Sequence, residues 1–134
     1  MFSTKIRIHP ELAASGLGIA VPTDELETLD RLATTISVPA GEQIMREGEY
    51  GRECFIVIDG QFGVERDGLK ILVGAGAVVG EMALLTLKPR SATVTATTDS
   101  NVYVLNRAEF SALLDTCPSI SRHVLVGATR RAAA

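Results

Sequence analysis

Apolar positions change their period along the chain, and the changes mark its elements. Leu26, Leu29, Leu32 and Ala33 recur at three- and four-residue steps, which puts them on one face of a helix starting near Thr23. Asp24 followed by Glu27 has capping-box spacing, with Thr23 an alternative cap, and the β-branched pair Thr34-Thr35 predicts where the helix ends. From Ile36 to Leu105 the pattern is mostly that of strands. Pro39-Ala40-Gly41 and Glu47-Gly48 read as turns around a short strand over 42–46. Residues 54–58 are an unbroken apolar run, as in a strand buried on both faces. Asp59-Gly60 turns the chain into a strand over 61–66, and Asp67-Gly68 predicts a hairpin into the next strand, where Leu69, Ile71 and Val73 share one face. Two more strands, over 92–97 and 101–105, are joined by a turn at Thr98-Asp99-Ser100. The helical period then returns. Asn106 and Glu109 repeat the capping-box spacing ahead of Phe110, Leu113 and Leu114. Thr116-Cys117-Pro118 breaks that helix and starts a last one lined by Ile120, Val124, Leu125 and Ala128.

Many short strands with glycine at the corners predict an α+β chain with a β jelly roll or small barrel at its centre, an N-terminal helix before it and two C-terminal helices after it. Residues 1–22, punctuated by Pro10, Gly16, Gly18 and Pro22, read as an arm with one helical turn near 11–14; residues 23–134 read as the domain.

Composition narrows the function. A length of 134 residues with 46% hydrophobic positions suits one domain with a sizeable core. A net charge of -3 argues against a nucleic-acid binder whose whole surface is basic, and aromatics at 4% without tryptophan give no stacking platform for single strands. No apolar run approaches the roughly 18 residues that span a membrane, and the start, MFSTKIRIHP, lacks the apolar core of a secretory signal. A cytoplasmic location is expected. Cys54 and Cys117 stand far apart, without metal-ligand spacing, and read as buried or idle thiols in a reducing compartment, a disulfide being the alternative. His9 and His123 are isolated, with no metal-ligand spacing. Without a Ser/His/Asp or Cys/His arrangement, no enzyme activity is expected.

The chemistry concentrates in residues 76–95, GAVVGEMALLTLKPRSATVT. Gly80 precedes a short run of good helix formers, Glu81-Met82-Ala83-Leu84-Leu85. The unpaired N–H groups of a helix start suit an anion. Pro89 cannot continue the helix and leads to Arg90, whose planar cation fits phosphate oxygens in pairs. Glu81 repels phosphate but accepts from a hydroxyl. A small ligand with a phosphate and a sugar hydroxyl close together answers all three; a plain salt bridge between Glu81 and Arg90 beside an ordinary loop answers them as well.

Val79-Gly80-Glu81-Met82-Ala83-Leu84, a short gap, then Pro89-Arg90-Ser91-Ala92-Thr93 resembles the phosphate-binding cassette of the cyclic-nucleotide-binding domain family. The flanks Pro39-Ala40-Gly41-Glu42, Glu47-Gly48-Glu49, Gly51 and Gly60 resemble the family's turns, and the closing helices its hinge and lid; the likeness runs over residues 22–132. The resemblance implies a jelly roll with a short helix inside the cassette and a module that senses cAMP, with cGMP a weaker or comparable ligand. It implies that Arg90 pairs with the cyclic phosphate and Glu81 accepts from the ribose 2′-hydroxyl. Backbone groups around Gly80, Met82, Ala83 and Ala92 complete those contacts, Val79 forms the floor, and Ser91 bears on base choice. The last helix then closes over the base and carries the signal to an attached or docked effector. Arg130 and Arg131 stand near its end, where stacking on the purine competes with a solvated helix end. No metal or cofactor beyond the nucleotide is implied. Val79 departs from the family's usual aromatic, Arg52 from its aspartate and Leu87 from its glycine; the last predicts a cassette turn of different backbone shape. The competing function is an interaction module of the same fold that does not depend on ligand. A DNA-binding regulator of the catabolite-activator type would need a helix-turn-helix after the last helix, and none stands in these residues, so no nucleic-acid partner is expected.

Overall fold

The computed structural model describes the backbone of residues 9–133 and the side chains of residues 9–127. Three helices come first: α1 (Pro10–Ala14), α2 (Gly16–Ala20) and α3 (Thr23–Leu32). Eight strands follow: β1 (Thr34–Val38), β2 (Gln43–Met45), β3 (Glu53–Asp59), β4 (Phe62–Arg66), β5 (Leu69–Val73), β6 (Val78–Val79), β7 (Thr93–Ala96) and β8 (Ser100–Asn106). The short helix α4 (Glu81–Thr86) interrupts them between β6 and β7, and α5 (Arg107–Thr116) and α6 (Pro118–Ala133) close the chain. The strands make two antiparallel four-stranded sheets, ordered β1-β8-β3-β6 and β2-β7-β4-β5. This is the expected jelly roll.

Two apolar layers hold it together, and β3 belongs to both. Phe55 and Val57 face the second sheet, among Val38, Phe62, Val94 and Val102. Cys54, Ile56 and Ile58 face the helices, among Leu29, Leu105, Phe110, Leu113 and Ile120. The unbroken apolar run is therefore buried on both faces, each large side chain contributing about 1.5–3 kcal/mol. Leu12, Leu17 and Val21, from the segment read as an arm, are buried in the helix-side layer. The hairpin turn forms at Asp67 (φ 52°) and Gly68 (φ 78°), the left-handed pair of a type I′ turn.

Some elements differ from the sequence pattern. The segment over 16–20 is a helix despite its two glycines: Ser15 caps it, accepting from Gly18 N–H at 3.1 Å, and the absence of a side chain at Gly18 lets its backbone lie against the Leu12 carbonyl. The expected capping box at Asp24 and Glu27 is absent. The cap residue of α3 is Pro22, which has no side-chain cap bond, and the third helical residue, Glu25, turns inward instead. α3 stops at Leu32 because Thr34 and Thr35 pair with Val104 and Tyr103 of β8. Val78-Val79 is a strand, paired with Ile56 and Phe55. Leu125, expected on the packed side of α6, is 41% exposed, whereas Ile120 and Val124 are buried. Ala128, Arg130 and Arg131 lie outside the described side chains.

The capping box of α5 is complete. Asn106 Oδ1 accepts from Glu109 N–H at 2.8 Å, and Glu109 Oε1 accepts from Asn106 N–H at 2.9 Å. Asn106→Ala is expected to cost about 1 kcal/mol, a fall in Tm of roughly 3–6 °C. Scanning calorimetry measures it; an unchanged Tm would mean the cap adds nothing in solution.

Candidate functional site

The cassette is built on the exit of β6. Gly80 takes a left-handed conformation (φ 86°) and turns the chain from the strand into α4, so that Glu81 opens the helix and is buried at 2% exposure. Leu87 ends α4, also left-handed (φ 60°), its N–H donating to Ala83 O at 3.0 Å. Leu87 thus takes a backbone shape that a glycine would adopt freely, at a cost of about 1–2 kcal/mol for a leucine.

Arg90 follows on the far side of the turn and folds back. Its backbone is pinned to the loop before β3, with Arg90 N–H donating to Glu49 O at 2.7 Å and Gly48 N–H donating to Arg90 O at 2.9 Å. The side chain is buried at 7% exposure and runs between Gly51 and Gly80, two positions where a Cβ would overlap the guanidinium. Nη1 donates to Gly80 O at 3.2 Å, and the guanidinium carbon lies 5.9 Å from the centre of the Phe55 ring. Among the described residues Arg90 takes part in no ion pair. Burial pulls its pKa down, while Cys54 and Glu53 nearby push it back up. The Cys54 thiol beside it is pushed up to about 12, chiefly by burial. Such a site is expensive for a lone cation, by several kcal/mol, and favours an anion arriving to share it.

A cavity of about 300 Å³ opens in front of these groups, at the small end of the roughly 300–1,000 Å³ typical of small-molecule sites. Val79, Gly80, Glu81, Met82, Ala83, Arg90, Ser91 and Ala92 all line it, so every residue picked from the cassette sequence stands at one cavity. Its other wall is apolar: Met45, Val64, Ile71, Val73 and Val94 from the second sheet and its hairpin. The arrangement has a cationic and a carboxylate end with a broad apolar face, which suits an amphiphilic ring system carrying an anion.

A model of the cyclic nucleotide-binding domain matches residues 35–117. The chain belongs to the cyclic nucleotide-binding domain family. A cyclic nucleotide-gated potassium channel of Rhizobium etli is 37% identical over 94 residues, covering 70% of this chain and 26% of the channel. The Thermus thermophilus catabolite activator protein superposes with a TM-score of 0.76 at 26% identity, over 89% of this chain and 59% of that one. The structure of Sp-2Cl-cAMPS bound to PKAR CBD2 matches with a TM-score of 0.75 at 26% identity, over 96% of this chain and 91% of that one. The chain spans about a quarter of the length of the channel it matches.

In this cyclic nucleotide-binding domain the cavity has lining residues beyond the cassette that the sequence does not reveal, Met45 and Val64 among them. Ile71 and Val73 were legible as one face of a strand but not as a cavity wall. His123, isolated in the sequence, lines the cavity from α6. Its position between the buried Ile120 and Val124 was a usable signal, since all three fall within one helical turn. Arg52 is exposed and does not reach the cavity. Cys54 and Cys117 are buried free thiols. Among the described residues, no helix is long and apolar enough to cross a membrane, and no cluster of three or more His, Cys, Asp or Glu is placed to hold a metal ion.

Proposed function

We propose that the chain is a cyclic-nucleotide sensor that binds cAMP in this cavity, takes cGMP more weakly or comparably, and passes the signal on through its C-terminal helices. Residues 23–134 form the sensing unit and residues 1–22 an arm; the setting is cytoplasmic, the module is not itself catalytic, and the output belongs to an attached or docked effector. The observation that carries the reading is Arg90, a buried cation with no ion pair among the described residues, facing a cavity with a carboxylate beside it. In this reading Arg90 holds the cyclic phosphate together with backbone N–H groups of Gly80, Met82, Ala83 and Ala92. Glu81 accepts from the ribose 2′-hydroxyl, Val79 supports the sugar, and the purine lies on the Val64, Ile71 and Val73 wall with Ser91 at its edge. A ligand shifts α6 only by as much as its affinities for the two helix positions differ.

Side-by-side calorimetric titration with cAMP and cGMP tests the ligand. Binding of cAMP at least as tight as that of cGMP is expected. A clear advantage for cGMP would hand the base edge to the Ser91 hydroxyl, and binding of neither would leave a fold-only interaction module.

A further inference from the structure

We propose that Glu25 is a positioning residue for the nucleotide site, acting on it through α6; the proposal rests on the reading of the cavity as a cyclic-nucleotide site. Glu25 lies in the first turn of α3, 7% exposed, and its carboxylate leaves its own helix. Oε1 accepts from Ile120 N–H at 2.9 Å, and Oε2 accepts from Ser119 N–H at 3.2 Å. Pro118, the first residue of α6, has no N–H to offer, so the carboxylate takes the next two donors of that helix start. A carboxylate bonded to two N–H groups at the positive end of a helix is a strong, directional joint. Cys117 closes the same joint, its thiol 3.9 Å from the Glu25 carbonyl oxygen. The start of α6 is thus fixed by a side chain more than ninety residues earlier.

His123 stands about 6 Å further along the axis from Ser119 and lines the cavity that holds Glu81 and Arg90. With Glu25 in place, α6 points so that His123 completes the cavity wall. Freeing the helix start lets α6 swing, and the fraction of molecules with the complete cavity falls. Apparent affinity falls by that same fraction. Glu25 itself does not line the cavity, so its influence on ligand runs through the helix.

The test uses the full chain, with Glu25→Gln as the isosteric change and Glu25→Asp as the conservative one. Amide hydrogen exchange of the ligand-free protein reads the joint: E25Q is expected to speed exchange at Ser119 and Ile120 about tenfold or more while the β3 amides keep their protection. Titration with cAMP reads the site: a loss of about fivefold or more is expected for E25Q, with E25D between it and the wild type. In a His123→Ala background the same change is expected to cost much less, because both alterations act on one wall. Unchanged exchange, unchanged cAMP affinity, or equal losses with and without His123 would overturn the positioning role. A wild-type chain that binds neither cAMP nor cGMP would overturn the nucleotide reading itself, a result separate from a wild type that binds and a variant that binds equally well.

Discussion

Arg90→Ala is expected to weaken cAMP binding by at least about tenfold while the domain stays folded. The guanidinium is buried, faces the cavity, and is held by the Gly80 carbonyl and the Phe55 ring without a carboxylate in an ion pair among the described residues. Its hydrogen bonds to a phosphate would be charge-assisted, each contributing about 1.5–3 kcal/mol net. Removing one partner of a desolvated charged pair costs about 2–5 kcal/mol in binding, and tenfold is the low end of that range. The fold loses one hydrogen bond and a ring contact but also sheds the cost of burying a cation, so the net change in stability is small. Calorimetric titration with parallel thermal unfolding separates the two quantities. Equal affinity in variant and wild type would remove Arg90 from the site.

Gly51→Ala is expected to cost about as much affinity as deleting the arginine, again at least about tenfold, although every charge remains. A Cβ at Gly51 would overlap the guanidinium carbon, Nε and Nη2 of Arg90. The obstructing atoms are the far end of a flexible side chain, so the loop keeps its course and the guanidinium moves. Gly80 stands on the other side, its carbonyl oxygen 3.2 Å from Nη1. The displaced cation therefore has little room to return to its line. In the double variant, adding Gly51→Ala to Arg90→Ala should cost little more, since both act on the same group. Circular dichroism and cAMP titration together check it; a Gly51→Ala protein that binds like the wild type would mean the guanidinium can work from another position.

What could be read in the sequence was local. The 54–58 run, the Asp67-Gly68 turn, the Asn106 and Glu109 pair and the Gly-Glu and Pro-Arg spacing each carry their signal within a few residues, and each is found in the structure. What could not be read depends on distant partners. Glu25 gave no capping signal for its own helix because its carboxylate serves α6. Gly16 and Gly18 punctuate the segment over 16–20 in the sequence, whereas in the fold Gly18 makes close contact with α1. β6 has two residues, too few for any period to show. Gly51 was visible as a loop glycine, but its purpose lies in the arginine that passes beside it 39 positions later. His123 becomes a cavity residue only once the direction of α6 is known.

The two cysteines have a practical consequence. Burial pushes the Cys54 thiol up to about 12 and raises that of Cys117, so both remain protonated and poor nucleophiles at neutral pH. The native chain is therefore a quiet background for thiol chemistry. A single cysteine placed at the exposed Leu125 position of α6 would take a maleimide dye ahead of either native thiol, and the dye's emission would follow the helix in a protein whose own sulfur atoms need not be replaced.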